Sequence, residues 1–157
     1  MSNTAITPIK PNPLWEMYIQ QGNTHMRDGL SSKAKAAYIQ AMEIAENILE
    51  DALKKQDNMD AIHGFVISCQ YLAEVYYVKG LGNETERILH RARNKTLKLM
   101  AEDSLSVEFR KEAFQAFHIT NMEIVSFYRS CRCHDLVTDI LRESKLHSQK
   151  FLHEINH

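Results

Sequence analysis

The stretch GNTHMRDGLSSKAKAAYIQA, residues Gly22–Ala41, decides how the rest of the chain is read. Gly29 separates two runs with few helix breakers, and Ser31 or Ser32 just after it is the kind of side chain that caps a helix by accepting from a backbone N–H. The spacing therefore predicts one helix ending near Asp28 and a second beginning just beyond Gly29. Ala34, Tyr38, Ala41, Ala45, Ile48 and Ala52 then recur at steps of four and three, a single stripe of a 3.6-residue period carried to about residue 55. Upstream, Asn12-Pro13 is an N-cap followed by proline at the first helical position, which opens the first helix. Residues 12–56 read as an antiparallel helical hairpin.

The same signals continue along the chain. Asn58 or Asp60 opens a third helix ending at Gly80, and Asn83 with Glu86 three residues later reads as a capping box for a fourth. Asp103, Ser104 or Ser106 opens a fifth, which breaks near Cys131, and a sixth runs through the end. All three prolines fall before residue 14 and only five glycines occur, so the body of the chain has few breakers. No segment alternates as a strand does. The expectation is an all-α domain over residues 12–157, about six long helices in three hairpins near 12–56, 58–101 and 103–156, preceded by a flexible segment 1–11.

The hairpins repeat. Ala73, Gly80, Leu89 and Ala92 each lie 51 positions after Gly22, Gly29, Tyr38 and Ala41. In the third hairpin the same step reaches Ile124, Cys131 and Ile140, and a one-residue slip to Val137, Leu141 and Ser144 fits its last helix better. A small residue where the paired helices cross, a glycine at the corner and then A-x₃-aromatic resembles the tetratricopeptide repeat, over residues 12–156. That resemblance implies a right-handed α-α superhelix, with Tyr38, Leu89 and Leu141 filling the gaps between units. The departures are plain. The family's closing proline is replaced by Glu46, Leu97 and Ser148, and each unit exceeds the usual length of about 34 residues. It has the look of a small bacterial family of unknown function.

Composition narrows the function classes. Lys and Arg number 19 against 20 Asp and Glu, so no global field draws in nucleic acid or an anionic membrane. The start MSNTAITPIKPNP lacks an apolar run after its charges and no stretch approaches the length of a membrane span, which points to a cytoplasmic protein. Three cysteines, Cys69, Cys131 and Cys133, read as reduced thiols. C-R-C-H at 131–134 lacks a second ligand pair, although Arg129, Arg132 and the following helix N-terminus would favour mildly reactive thiolates.

The closing HEINH, His153–His157, has H-E-x-x-H spacing, which sets two imidazoles on one helix face. A catalytic zinc needs a third ligand, which in that class follows downstream, and here nothing follows His157. With no G-x-S-x-G and no phosphate-cradling glycine loop, the expectation is a non-enzymatic protein with no metal and no cofactor.

The resemblance puts the first helix of each hairpin on the concave face. It implies a groove formed by Asn23, Met26 and Arg27, by Gln70, Glu74 and Tyr77, and by Asn121, Tyr128 and Arg129, with Ile19, Ile67, His118 and Val125 beside them. Amides would hold a peptide backbone and the Tyr77 and Tyr128 rings, placed at equivalent positions, would cover its side chains. The family's carboxylate clamp is not supported: only Asn23 fits, with Ile19, Tyr71, His118 and Met122 at the other places. The expected partner is a protein or peptide, with a homodimer as a further option and the extended start TPIKPNP as a candidate for the same groove.

An alternative surface lies on the fourth helix, where Arg87, Arg91, Lys95 and Lys98 share one face, flanked by His90 and Asn94. Such a row suits nucleic acid or another anion. The second helix carries the reverse stripe, Glu43, Glu46 and Glu50 with Asn47, which would let two copies associate stripe to stripe.

Overall fold

A computed structural model describes residues 12–157, in which the chain is all-helical. The expected flexible segment 1–11, and its docking in a groove, lie outside the described residues. The helices are α1 Pro13–Arg27, α2 Ser31–Lys55, α3 Asp60–Val78, α4 Gly82–Met100, α5 Val107–Ser130 and α6 His134–Ile155. Each packs on the next, and α3 also packs directly on α5.

Local chemistry explains the boundaries. The Asn12 side chain accepts from the Trp15 N–H at 2.9 Å with Pro13 in the first turn, and Ser106 accepts from the Phe109 N–H at 3.2 Å. Asn12→Ala is expected to lower stability by about 1 kcal/mol, read from the urea midpoint, because one end of α1 then loses its only side-chain cap. The other expected caps are displaced. Leu30, not Ser31, precedes α2, and Leu81, not Asn83, precedes α4, neither with a side-chain cap bond. The reason is that the corners are closed by backbone bonds.

Those corners are the clearest sign of repetition. Leu30 N–H bonds His25 O, Leu81 N–H bonds Tyr76 O and Cys133 N–H bonds Tyr128 O, at 2.8–2.9 Å in each case. The residue before each of these is left-handed: Gly29 at φ 75°, Gly80 at φ 76° and Arg132 at φ 58°. Glycine adopts that region without a Cβ penalty, and Arg132 takes it against preference. The third corner thus falls at Arg132, one residue later than the 51-step places it.

α3 and α5 run side by side and parallel, meeting near their starts at His63 and Glu112 and near their ends at Tyr77 and Phe127, and α1 reaches α3 through a side-chain hydrogen bond. Trp15 Nε1 of α1 donates to Ser68 Oγ of α3 at 2.9 Å, and His63 of α3 pairs with Glu112 of α5 at 2.7 Å. The Gln56 side chain clasps the two loops between hairpins, donating to Ser104 O at 3.1 Å and accepting from Ser106 N–H at 2.9 Å. Phe65, Phe109, Phe117, Leu49 and Ile124 anchor one continuous core. Gly22 touches Tyr38 as the crossing pattern requires: a Cβ at Gly22 would lie 2.5 Å from Tyr38 Cδ1 and 2.7 Å from Cζ. Leu141 departs from expectation, 50% exposed where Tyr38 and Leu89 are buried, because among the described residues no helix packs beyond α6.

Candidate functional site

Two parallel helices in contact leave a trough between them, and here α3 and α5 do so over α4. Gln70, Ala73, Glu74 and Tyr77 of α3 follow i, i+3, i+4, i+7 spacing, and Glu123, Ser126, Phe127 and Ser130 of α5 follow the same spacing. The two stripes face each other across a groove of about 270 Å³, with Thr85 and Leu89 of α4 as its floor. Tyr77 and Phe127 meet edge to face, centroids 6.3 Å apart, and close one end.

The groove is apolar at its base and acidic at its rim. Burial pushes the Glu123 carboxyl above its usual range, and the Glu74 charge pushes it further the same way. Among the described residues neither carboxylate belongs to an ion pair. A raised folded pKa means that the ionised form burdens the fold, so stability is lost as pH rises from the ordinary carboxylate range through the raised value. Glu123→Gln is accordingly expected to raise the melting temperature at neutral pH, with the gap closing as pH falls below the ordinary carboxylate range. A gap that does not change with pH would contradict this.

Of the residues expected to line a groove, Gln70, Glu74 and Tyr77 do so, with Tyr77 53% exposed. Asn121 and Tyr128 do not. Asn121 is buried and its Oδ1 accepts from Arg93 Nε at 2.8 Å. Tyr128 is 5% exposed; its hydroxyl donates to Glu86 and contacts His90 Nε2 at 2.8 Å. Arg129 is exposed but outside the groove. The displaced corner makes Tyr128 the counterpart of Tyr76, not of Tyr77, which turns it inward.

On α1, Asn23 accepts from Tyr38 Oη at 2.5 Å, Met26 packs against the core and Arg27 donates to Thr24 at 3.3 Å, so none lines the α3–α5 groove. Glu123, Ser126, Phe127 and Ser130 are not reached by taking the same face of every helix. A groove is lined by faces that look at each other, and the matching i, i+3, i+4, i+7 stripe was the signal available.

Arg87, Arg91, Lys95 and Lys98 are all brought together, lining a second cleft of about 580 Å³ with His90, Asn94, Glu46 of α2 and Phe65 of α3. Arg91 Nη2 donates to Glu46, so the basic and acidic stripes meet within one chain. Arg93, on the same helix, is buried instead, over the Phe117 ring at 5.5 Å.

The remaining candidates are scattered. The His153 and His157 rings lie tilted with centroids 4.3 Å apart, the His157 ring against the His153 carbonyl, and among the described residues no three metal-ligating side chains converge. Cys131 is exposed at the end of α5. Cys69 is buried, and that burial pushes its thiol up to about 12. Among the described residues no helix is long and apolar enough to cross a membrane.

Fold and site together define a protein of packed helical hairpins with repeated corners and a groove between alternate helices. The chain belongs to the family described as protein of unknown function DUF2753, whose model matches residues 13–155, from the first residue of α1 to the last of α6. No curated protein and no solved structure matches it.

Proposed function

We propose that the three hairpins form a right-handed tetratricopeptide-like superhelix that acts as a non-enzymatic adaptor, binding a protein or peptide segment in the α3–α5 groove. The observation that carries this reading is the pair of matched stripes, Gln70-Ala73-Glu74-Tyr77 and Glu123-Ser126-Phe127-Ser130, over an apolar floor. The charge pattern names the ligand's chemistry. Two carboxylates that have no ionic partner among the described residues call for a Lys or Arg side chain, and the Tyr77 and Phe127 rings offer aromatic faces to its cation and stem. Leu89 and Ala73 at the base suit a neighbouring aliphatic side chain.

A cationic ligand also relieves the repulsion between Glu74 and Glu123, which adds to the binding free energy. A random-peptide display selection on the full chain tests the reading. Enrichment of Lys or Arg beside an aliphatic residue, lost on Tyr77→Ala/Phe127→Ala, is the expected result. Enrichment of acidic peptides, or selection indifferent to both rings, would overturn it.

A further inference from the structure

Arg87, Arg91, Lys95 and Lys98 place like charges four, four and three residues apart on α4. Such neighbours repel and weaken a helix rather than support it, so the row has no account in the stability of α4 itself. Among the described residues only Arg91 has a carboxylate partner, Glu46 across the cleft. Arg91 also lies over the Phe65 ring at 5.9 Å, which fixes its guanidinium. Arg87, Lys95 and Lys98 line the same cleft and, among the described residues, have no ion-pair partner of their own. Eleven residues of helix at 1.5 Å each make the row roughly 16 Å long.

We propose that this cleft binds a small soluble oligophosphate, a ligand carrying two or three linked phosphates. The volume of about 580 Å³ matches a small-molecule site. Guanidinium and ammonium groups in line, with the Asn94 amide between them, supply the donors that successive phosphates accept. His90 takes no part, since its Nε2 is engaged by the Tyr128 hydroxyl at 2.8 Å.

A nucleic acid fits less well. Glu46 stands on the opposite wall, Glu43 and Glu50 share its face of α2 by helical spacing, and among the described residues the only ring besides His90 in the cleft, Phe65, is buried and gives bases nothing to stack on. A net charge of −1 also provides no long-range attraction. Stripe-to-stripe self-association fits less well too, because Arg91 and Glu46, central in their stripes, already pair within the chain.

Calorimetric titration of the full chain with inorganic tripolyphosphate tests the proposal. Saturable one-site binding is expected, weakened about ten-fold or more by Arg87→Gln/Lys95→Gln/Lys98→Gln. The control Lys54→Gln/Lys145→Gln/Lys150→Gln removes the same charge outside the cleft and is expected to stay within about two-fold of wild type. Absence of saturable binding, an equal loss in the control, or far tighter binding of a single-stranded RNA of about twelve nucleotides would each overturn it. Should the cleft variant fail to fold, amide shifts of the wild-type chain decide: changes on titration centred on Arg87–Lys98 support the proposal, and changes elsewhere contradict it.

Discussion

Gly22→Ala is expected to lower stability by about 2–3 kcal/mol, measured as a shift of the urea midpoint. The added methyl falls inside the Tyr38 ring, and the ring cannot step aside. It stacks on Tyr71 at 5.1 Å and its hydroxyl bonds Asn23 at 2.5 Å. Gly82→Ala is the control, since a Cβ there meets nothing within 4 Å. The second hairpin suggests a rescue. It carries Ala73 and Leu89 at the corresponding positions, both buried, so Gly22→Ala/Tyr38→Leu imports a pair already compatible with this crossing. The double variant should exceed Gly22→Ala in stability; if it does not, the correspondence between hairpins is wrong.

Glu74→Lys/Glu123→Lys is expected to weaken binding of a selected Lys- or Arg-bearing peptide by roughly a hundred-fold or more, measured by fluorescence anisotropy. The two carboxylates face one trough, so reversal turns both attractions into repulsions. Folding should be little affected, because one like-charged pair replaces another across the groove. The same variant should gain affinity for the peptide whose cation is changed to Glu. Loss of binding without that reciprocal gain would point to damage to the groove rather than to charge recognition.

Much of the architecture was legible. Asn12-Pro13 and Ser106 announce helix starts by side-chain chemistry, and Gly29 and Gly80 mark corners where a left-handed residue is required. Ser31 and Asn83 misled because the corners close through backbone bonds and call on no side-chain cap. The third corner is hidden because Arg132, not glycine, adopts the left-handed conformation. That single-residue displacement carried Tyr128 to an apparent match with Tyr77 when it belongs with Tyr76, and a groove anchor became a buried hydroxyl bonded to Glu86.

The site was half legible for a geometric reason. The α3 wall could be read from its own periodicity, but the α5 wall depends on which face the packing turns toward α3, and only tertiary contact determines that. The basic row on α4 was fully legible, since it depends on one helix alone. Its partner Glu46, 45 residues away in sequence, shows itself only when packing brings α2 and α4 within side-chain reach of each other.

The α3–α5 groove is the centre of the account, and amide chemical-shift mapping of a display-selected peptide on the full chain tests it most directly. The predicted result is a set of shifts centred on Gln70, Glu74 and Tyr77 of one wall and Glu123, Ser126 and Phe127 of the other. Shifts confined to α1, α6 or the outer face of α4, with both walls silent, would contradict it.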